Sequence, residues 1–332
     1  MKPWAKVCIS LLFLGAAVFF AFQYQQDKAQ EMWSAVTRLD PLVWTGVLCA
    51  FIAGHTIGAF KWRFNVNLGE AGLQPVDALQ CYGAGLFSNL FLPSIVGGDA
   101  LKAWLGGKAT GRLEACIFGG LTERLIDTLA LLALIVIGAL VSQTAVEGWY
   151  GQVITVASIA SVVGGVIFLP LLTRMKLARW PRRLRRPISR MMVSMRRIAA
   201  RPAAALGVFA LSLGIQAWFV LLNAMLGRAI GIDAPLAYWF LAVPLTKAIT
   251  LAPISFGGLG LREATLGGLL SLVGVPAVQG IAASLLWQSI VYSGGLIGGL
   301  AWLGLGLRRG ARTGMGHGSL LREARTAQGR HG

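Results

Sequence analysis

The 332-residue chain is 56% hydrophobic and only 13% charged, with a mean hydropathy of +0.68, which excludes an ordinary soluble domain, where about a quarter of the residues carry charge. Its 30 Lys and Arg against 13 Asp and Glu give a formal charge of +17. In a chain this apolar the excess belongs to membrane topology, and nucleic acid is not expected as a partner.

Residues 7–22 form an apolar run behind Lys2 and Lys6, and no small-x-small cleavage site follows, so the run reads as a retained anchor. Residues 42–60 make a second crossing, stopped by Lys61 and Arg63. Residues 78–95 are apolar but carry Gln80, Ser88 and Asn89, and they run into Pro93 and the pair Gly97-Gly98. Residues 115–141 and 150–172 are each long enough to cross a hydrocarbon core of about 30 Å. Residues 174–202 then bring eleven cations and no acid, the signature of a cytoplasmic loop lying against anionic headgroups. Beyond it, residues 203–226 cross, 238–251 lead to Pro253 and Gly257-Gly258, 264–273 return, and 278–307 cross last. The tail from Arg308 is rich in Gly and Arg and is expected to be disordered.

Two of these stretches are copies. A Pro, three residues, Gly-Gly, two residues, Leu and a cation run from Pro93 to Lys102 and again from Pro253 to Arg262. Pro removes a backbone donor and Gly-Gly permits unusual backbone angles, so a helix entering either copy is expected to break there. Matching Gly/Pro-broken segments in two halves of a membrane protein point to a transport site. The halves are 1–173, with a hairpin at about 78–105, and 203–307, with a hairpin at about 238–273. The basic linker 174–202 joins them, and the tail occupies 308–332.

Charge decides whether the broken segments cross. If 78–95 crossed fully, the eleven-cation loop would face outward; if 238–256 crossed alone, the six cations of the tail would do so. Both are therefore read as re-entrant. The expectation is an all-α integral membrane protein with six full transmembrane helices and two oppositely inserted re-entrant hairpins, an inverted repeat with both termini cytoplasmic. That arrangement places 24 of the 30 cations inside.

Glu123, Arg124 and Asp127 interrupt an apolar run, with the two acids one helical turn apart. Charges at that depth are costly and should face protein or a wet cavity. They read either as an ion-pair lock to Lys102 or Lys108 or as groups lining a headgroup path. Lys247 either snorkels to the interface or belongs to the same path. Asp99, Lys102, Arg262 and Glu263 either flank short hairpins or, with the Gly-Gly amides, hold a phosphate. Asn89, Gln216, Gln288 and Ser289 are uncharged candidates on that route. Gly294, Gly295, Gly298 and Gly299 favour close helix packing within the chain over a dimer face. Cys8, Cys49, Cys81 and Cys116 are isolated and read as packing or lipid-facing thiols, and His55 stands alone at membrane depth, so no metal site or other cofactor is expected. No nucleotide-binding or hydrolase motif is present: Gly106-Gly107-Lys108 lacks the rest of a P-loop.

Leu92-Pro93 with Gly97-Gly98-Asp99 and Lys102, then Glu123-Arg124, then Pro253 through Gly260 with Arg262-Glu263, resembles the flippase-like, lysylphosphatidylglycerol-synthase transmembrane family over roughly residues 5–305. The resemblance implies a bacterial inner-membrane protein with two re-entrant hairpins that moves or handles lipids. Two-domain relatives add a cytoplasmic aminoacyl-transferring domain, whose reaction does not carry over to the short tail here. The expected function is a lipid translocase for a phospho-, aminoacyl- or polyprenyl-linked headgroup, working without ATP. A membrane subunit or enzyme of lipid-linked glycosyl or aminoacyl transfer is the alternative, and a scaffold for a cytoplasmic partner a second. The expected partners are anionic or lipid-linked membrane lipids; a homo-oligomer and a separate synthase or transferase stay open.

Overall fold

The computed structural model describes residues 39–91, 95–142, 202–250 and 260–328, with Thr37 and Val156. Among these residues there are eight α-helices and no strand: α1 Pro41–Asn67, α2 Pro75–Ser88, α3 Ile95–Thr110, α4 Leu113–Val141, α5 Pro202–Ala229, α6 Leu236–Thr250, α7 Leu261–Ser271 and α8 Ala277–Gln328. The expected crossings at 7–22 and 150–172, the basic linker 174–202, and the elbow residues Pro93, Pro253, Gly257 and Gly258 lie outside the described residues.

Among the described residues each half runs long, short, short, long, and corresponding helices are offset by about 160 positions, the spacing of the repeated motif. The short helices pack in pairs, α2 on α3 and α6 on α7. Among the described residues four helices are long and apolar enough to cross a membrane: α1, α4, α5 from Ala203, and Ala277–Gly304 of α8. Their outer faces expose Phe60, Phe64, Leu121, Ile137, Leu206, Leu296 and Leu300. In water such a surface would drive association, whereas in a bilayer it is the lipid contact. The chain is a multi-pass membrane protein.

Asp40 caps α1 by accepting from the Leu42 amide at 2.8 Å, and Pro41 opens the first turn, where no intrahelical donor is required. The helix does not stop at Lys61. It continues to Asn67 and buries Lys61 on the way, because that ammonium has partners on α4 and α5. The Asn67 side chain then holds Leu73, accepting from its amide at 2.7 Å and donating to its carbonyl at 3.1 Å, which folds the loop back so that Pro75 can start α2.

In the first hairpin the helix break falls ahead of the glycine pair. α2 ends at Ser88, a turn runs to Phe91, and Gly97 and Gly98 sit in the first turn of α3. The reason for glycine is proximity: a Cβ on Gly98 would meet the Gly85 carbonyl oxygen of α2 at 2.5 Å. The Asn89 amide oxygen accepts from the Gly98 N–H at 3.1 Å and ties the two helices together.

The glycine set of α8 packs inside the chain. A Cβ on Gly83 of α2 would lie 2.6 Å from the Gly298 carbonyl, and Gly294 and Gly299 face Phe51 of α1 and Phe87 of α2. Beyond its apolar part α8 stays helical to Gln328, where the composition suggests an unstructured tail. Propagating an existing helix costs far less than nucleating one, and no Pro interrupts residues 305–328. The main core gathers Val47, Phe51, Tyr238, Trp239, Leu241 and Ile290, and a second cluster surrounds Trp62, Val66 and Leu73. Cys81 and Cys116 are buried in the second cluster as packing thiols, while Cys49 is exposed.

Candidate functional site

Pro244 lies inside α6 and has no N–H to give to the carbonyl of Phe240 one turn earlier. At that point α4 approaches closely, because Gly138 has no side chain to meet the Phe240 carbonyl. The same stretch of α6 lines a cavity of about 280 Å³ between the two halves of the chain. Its polar wall includes Asn89 just after α2, Arg124 of α4, Gln216 of α5, Lys247 of α6, Arg262 of α7 and Gln288 of α8. The rest is largely aliphatic and aromatic. A second cavity of about 120 Å³ adjoins it and shares His55, Arg124, Gln216, Phe219 and Lys247.

Seven charged side chains wall the smaller cavity: six form a balanced network, and the seventh, Lys247, is shared with the larger cavity. Lys61 of α1 bonds Asp127, donates to Ser212 Oγ at 3.0 Å and stands 3.9 Å from Glu123. Lys102 of α3 meets Glu123 at 2.8 Å and Asp99 at 3.4 Å, with the rings of Trp62 and Tyr82 at 5.0 and 4.8 Å from its ammonium. Arg124 gives Nε to Asp99 at 2.5 Å. Three acids and three cations thus neutralise one another across α1, α3 and α4. Lys61, Lys102 and Glu123 are buried, whereas the Arg124 side chain is 43% exposed.

The larger cavity is not balanced. Among the described residues neither Lys247 nor Arg262 pairs with a carboxylate. Lys247 donates to Gln216 Oε1 at 2.7 Å, and Arg262 donates to Gln288 Oε1. Both cations are therefore held by neutral amides in a wall that includes no acid. Thr246 Oγ1, also on this wall, is buried with no hydrogen-bond partner among the described residues.

A family model described as the lysylphosphatidylglycerol synthase TM region matches residues 4–299. The chain belongs to that family. Neither a curated protein nor a solved structure matches it. Membership in the lysylphosphatidylglycerol synthase transmembrane-region family associates this membrane protein with lipid modification or translocation.

Within this family member, the structure brings Asp99, Lys102, Glu123, Arg124, Asp127 and Lys247 together around the smaller cavity and places Arg262 on the larger one. Glu263 lines neither. It is buried and turns back to cap α7, accepting from the Gly260 N–H at 2.7 Å and from Ser284 Oγ at 3.4 Å. Lys108 takes no part in the ion network and lies 3.8 Å over the Trp104 ring. Asn89, Gln216 and Gln288 reach the cavity, while Ser289 accepts from the Trp44 indole N–H at 3.0 Å instead. Lys61 and Thr246 are absent from the sequence-based set. A cation ending an apolar run reads as a stop signal, and a lone Thr in an apolar helix gives no signal at all.

Proposed function

We propose that this protein is a lipid translocase that holds a phosphate-bearing headgroup in the central cavity while the hydrocarbon tails remain in the bilayer. The observation that carries this reading is the pair Lys247 and Arg262, two cations facing a cavity with only amide oxygens as partners. Arg262 is half-buried and Lys247 is open to the cavity; two cations without a counter-charge on one wall at membrane depth are costly, and an anion entering between them relieves that cost. A volume of about 280 Å³ is at the small end for a ligand site, which suits a headgroup and excludes a whole lipid.

The neighbouring network supplies a relay. Arg124 is half-exposed and shares Asp99 with Lys102, so it can release Asp99 to meet a phosphate while Lys102 keeps that carboxylate compensated. Enzymatic transfer is less well supported, because Asp99, Glu123 and Asp127 are each already engaged by a cation rather than free to act as a base.

The hairpins fit a re-entrant role. At 1.5 Å per residue, α2 and α3 span roughly 21 and 24 Å, and α6 and α7 roughly 22 and 16 Å, all short of a core of about 30 Å. In this reading the chain crosses six times in a bacterial inner membrane, with both termini cytoplasmic and the hairpins entering from opposite faces.

The test is headgroup accessibility of fluorescent phospholipids in proteoliposomes. Lipid exchange between leaflets should accelerate with the native chain and fall to the protein-free rate in Lys247→Met and Arg262→Gln. Equal rates for native and protein-free vesicles across anionic and zwitterionic lipids would remove the translocase reading.

A further inference from the structure

We infer, resting on the headgroup site above, that the cavity selects a headgroup with net negative charge and no amine, so that the cationic aminoacyl lipid of the family's name is not its substrate. An ammonium-bearing headgroup needs a carboxylate, or at least an uncontested acceptor, on the cavity wall. None of the residues around the larger cavity is Asp or Glu, whereas three are cations: Arg124, Lys247 and Arg262. Glu263, adjacent in sequence to Arg262, is withdrawn into the cap of α7. Asp99 and Asp127, the more exposed acids of the neighbouring network, are both taken by cations of the protein. An aminoacylated headgroup would thus meet like charge; recruiting Asp127 would take the nearer carboxylate from buried Lys61, and recruiting Asp99 would set Arg124 free as one more cation against it.

The remaining donors agree with an anion. The Thr246 hydroxyl is buried on the wall with no partner among the described residues, and the Lys247 ammonium and Arg262 guanidinium lie on the same wall. Arg262 offers a planar fork suited to two phosphate oxygens and Lys247 a compact point charge. Inorganic phosphate would share this chemistry. The aliphatic side of the cavity, with Leu86, Leu90, Val243 and Leu266, favours a phosphate attached to an apolar body.

Binding and movement are measured separately on the full chain. In detergent, native mass spectrometry would compare retention of phosphatidylglycerol, lysyl-phosphatidylglycerol and phosphatidylcholine, with inorganic phosphate and glycerol phosphate as competitors. Phosphatidylglycerol should be retained about tenfold or more over the lysyl form, the scale of one charge-assisted hydrogen bond. That preference should vanish in Arg262→Gln and survive in Arg262→Lys, which keeps the charge and guards against a merely misfolded variant. Equal or stronger retention of lysyl-phosphatidylglycerol overturns the selection. Displacement of phosphatidylglycerol by millimolar inorganic phosphate reassigns the site to a soluble anion and overturns the lipid substrate class. Proteoliposome exchange then divides the two ideas: selective binding without exchange leaves the selection standing and removes translocation, exchange of both lipids at one rate does the reverse, and binding of none removes both.

Discussion

Two cations of one network carry opposite expectations. Lys61 is buried, with its side chain 3% exposed, and it is the partner of Asp127 and a neighbour of Glu123. Lys61→Met leaves Asp127 without its cation at membrane depth, and breaking a buried pair costs about 3–5 kcal/mol, so this variant should lose its thermal transition and its monodisperse peak in detergent. Arg124 is 43% exposed, and its partner Asp99 retains Lys102 at 3.4 Å. A half-exposed pair is worth only about 0–1 kcal/mol, so Arg124→Ala should stay folded and lose headgroup exchange, with Arg124→Lys partly active because it keeps the charge without the planar fork. A normally exchanging, well-folded Arg124→Ala would take this residue out of the mechanism. The acids at 123 and 127 were legible because a charge inside an apolar run has few explanations. Lys61 was not, since its meaning depends on α1 continuing to Asn67, and that continuation is set by partners on α4 and α5 rather than by local sequence.

Between helices, contact is governed by backbones that approach where side chains are missing. α2 is held on one side by α3 through Gly85 and Gly98 and on the other by α8 through Gly83 and Gly298. Without a hydrophobic drive between helices in lipid, such close packing supplies much of the association. Gly83→Val places a Cβ 2.6 Å from the Gly298 carbonyl oxygen, which is backbone and cannot swing aside. The cost of overpacking is about 1–3 kcal/mol, and the thermal midpoint should fall accordingly. Gly214→Ala in α5 meets nothing within 4 Å and should leave the midpoint unchanged or slightly raised. Equal midpoints for the two variants would contradict this packing account. The small-residue set of α8 was readable as a packing face, but its partners were not, because Gly83 and Phe87 are recognisable only once α2 lies against it. The glycine pair at 97 and 98 was legible as special and misread as the break, since glycine marks close approach as often as it marks a turn.

Among the described residues the two halves repeat one order of elements, and the proposed topology sets them in opposite orientations. Motif spacing made the repeat readable from sequence, and the long–short–short–long order of α1–α4 and α5–α8 agrees with it. The central cavity was not readable, because Lys247, Arg262, Gln216 and Gln288 come from four helices whose convergence depends on how the halves pack. If the halves are inverted, equivalent loops must face opposite sides of the membrane. The loop between α1 and α2 holds exposed Gln74, and its counterpart between α5 and α6 holds exposed Asp233. Arg63 lies near the first loop, and in the proposed six-crossing topology that loop is cytoplasmic and the second lies on the other side. Single cysteines, Gln74→Cys and Asp233→Cys, in a background lacking Cys8, Cys49, Cys81 and Cys116, can be probed with a membrane-impermeant maleimide on intact cells and on inverted vesicles. Gln74→Cys should label only in inverted vesicles and Asp233→Cys only in intact cells. Labelling of both from one side would mean that the repeat is parallel. The two hairpins would then open to the same compartment, and a headgroup bound between them would have no alternating route across.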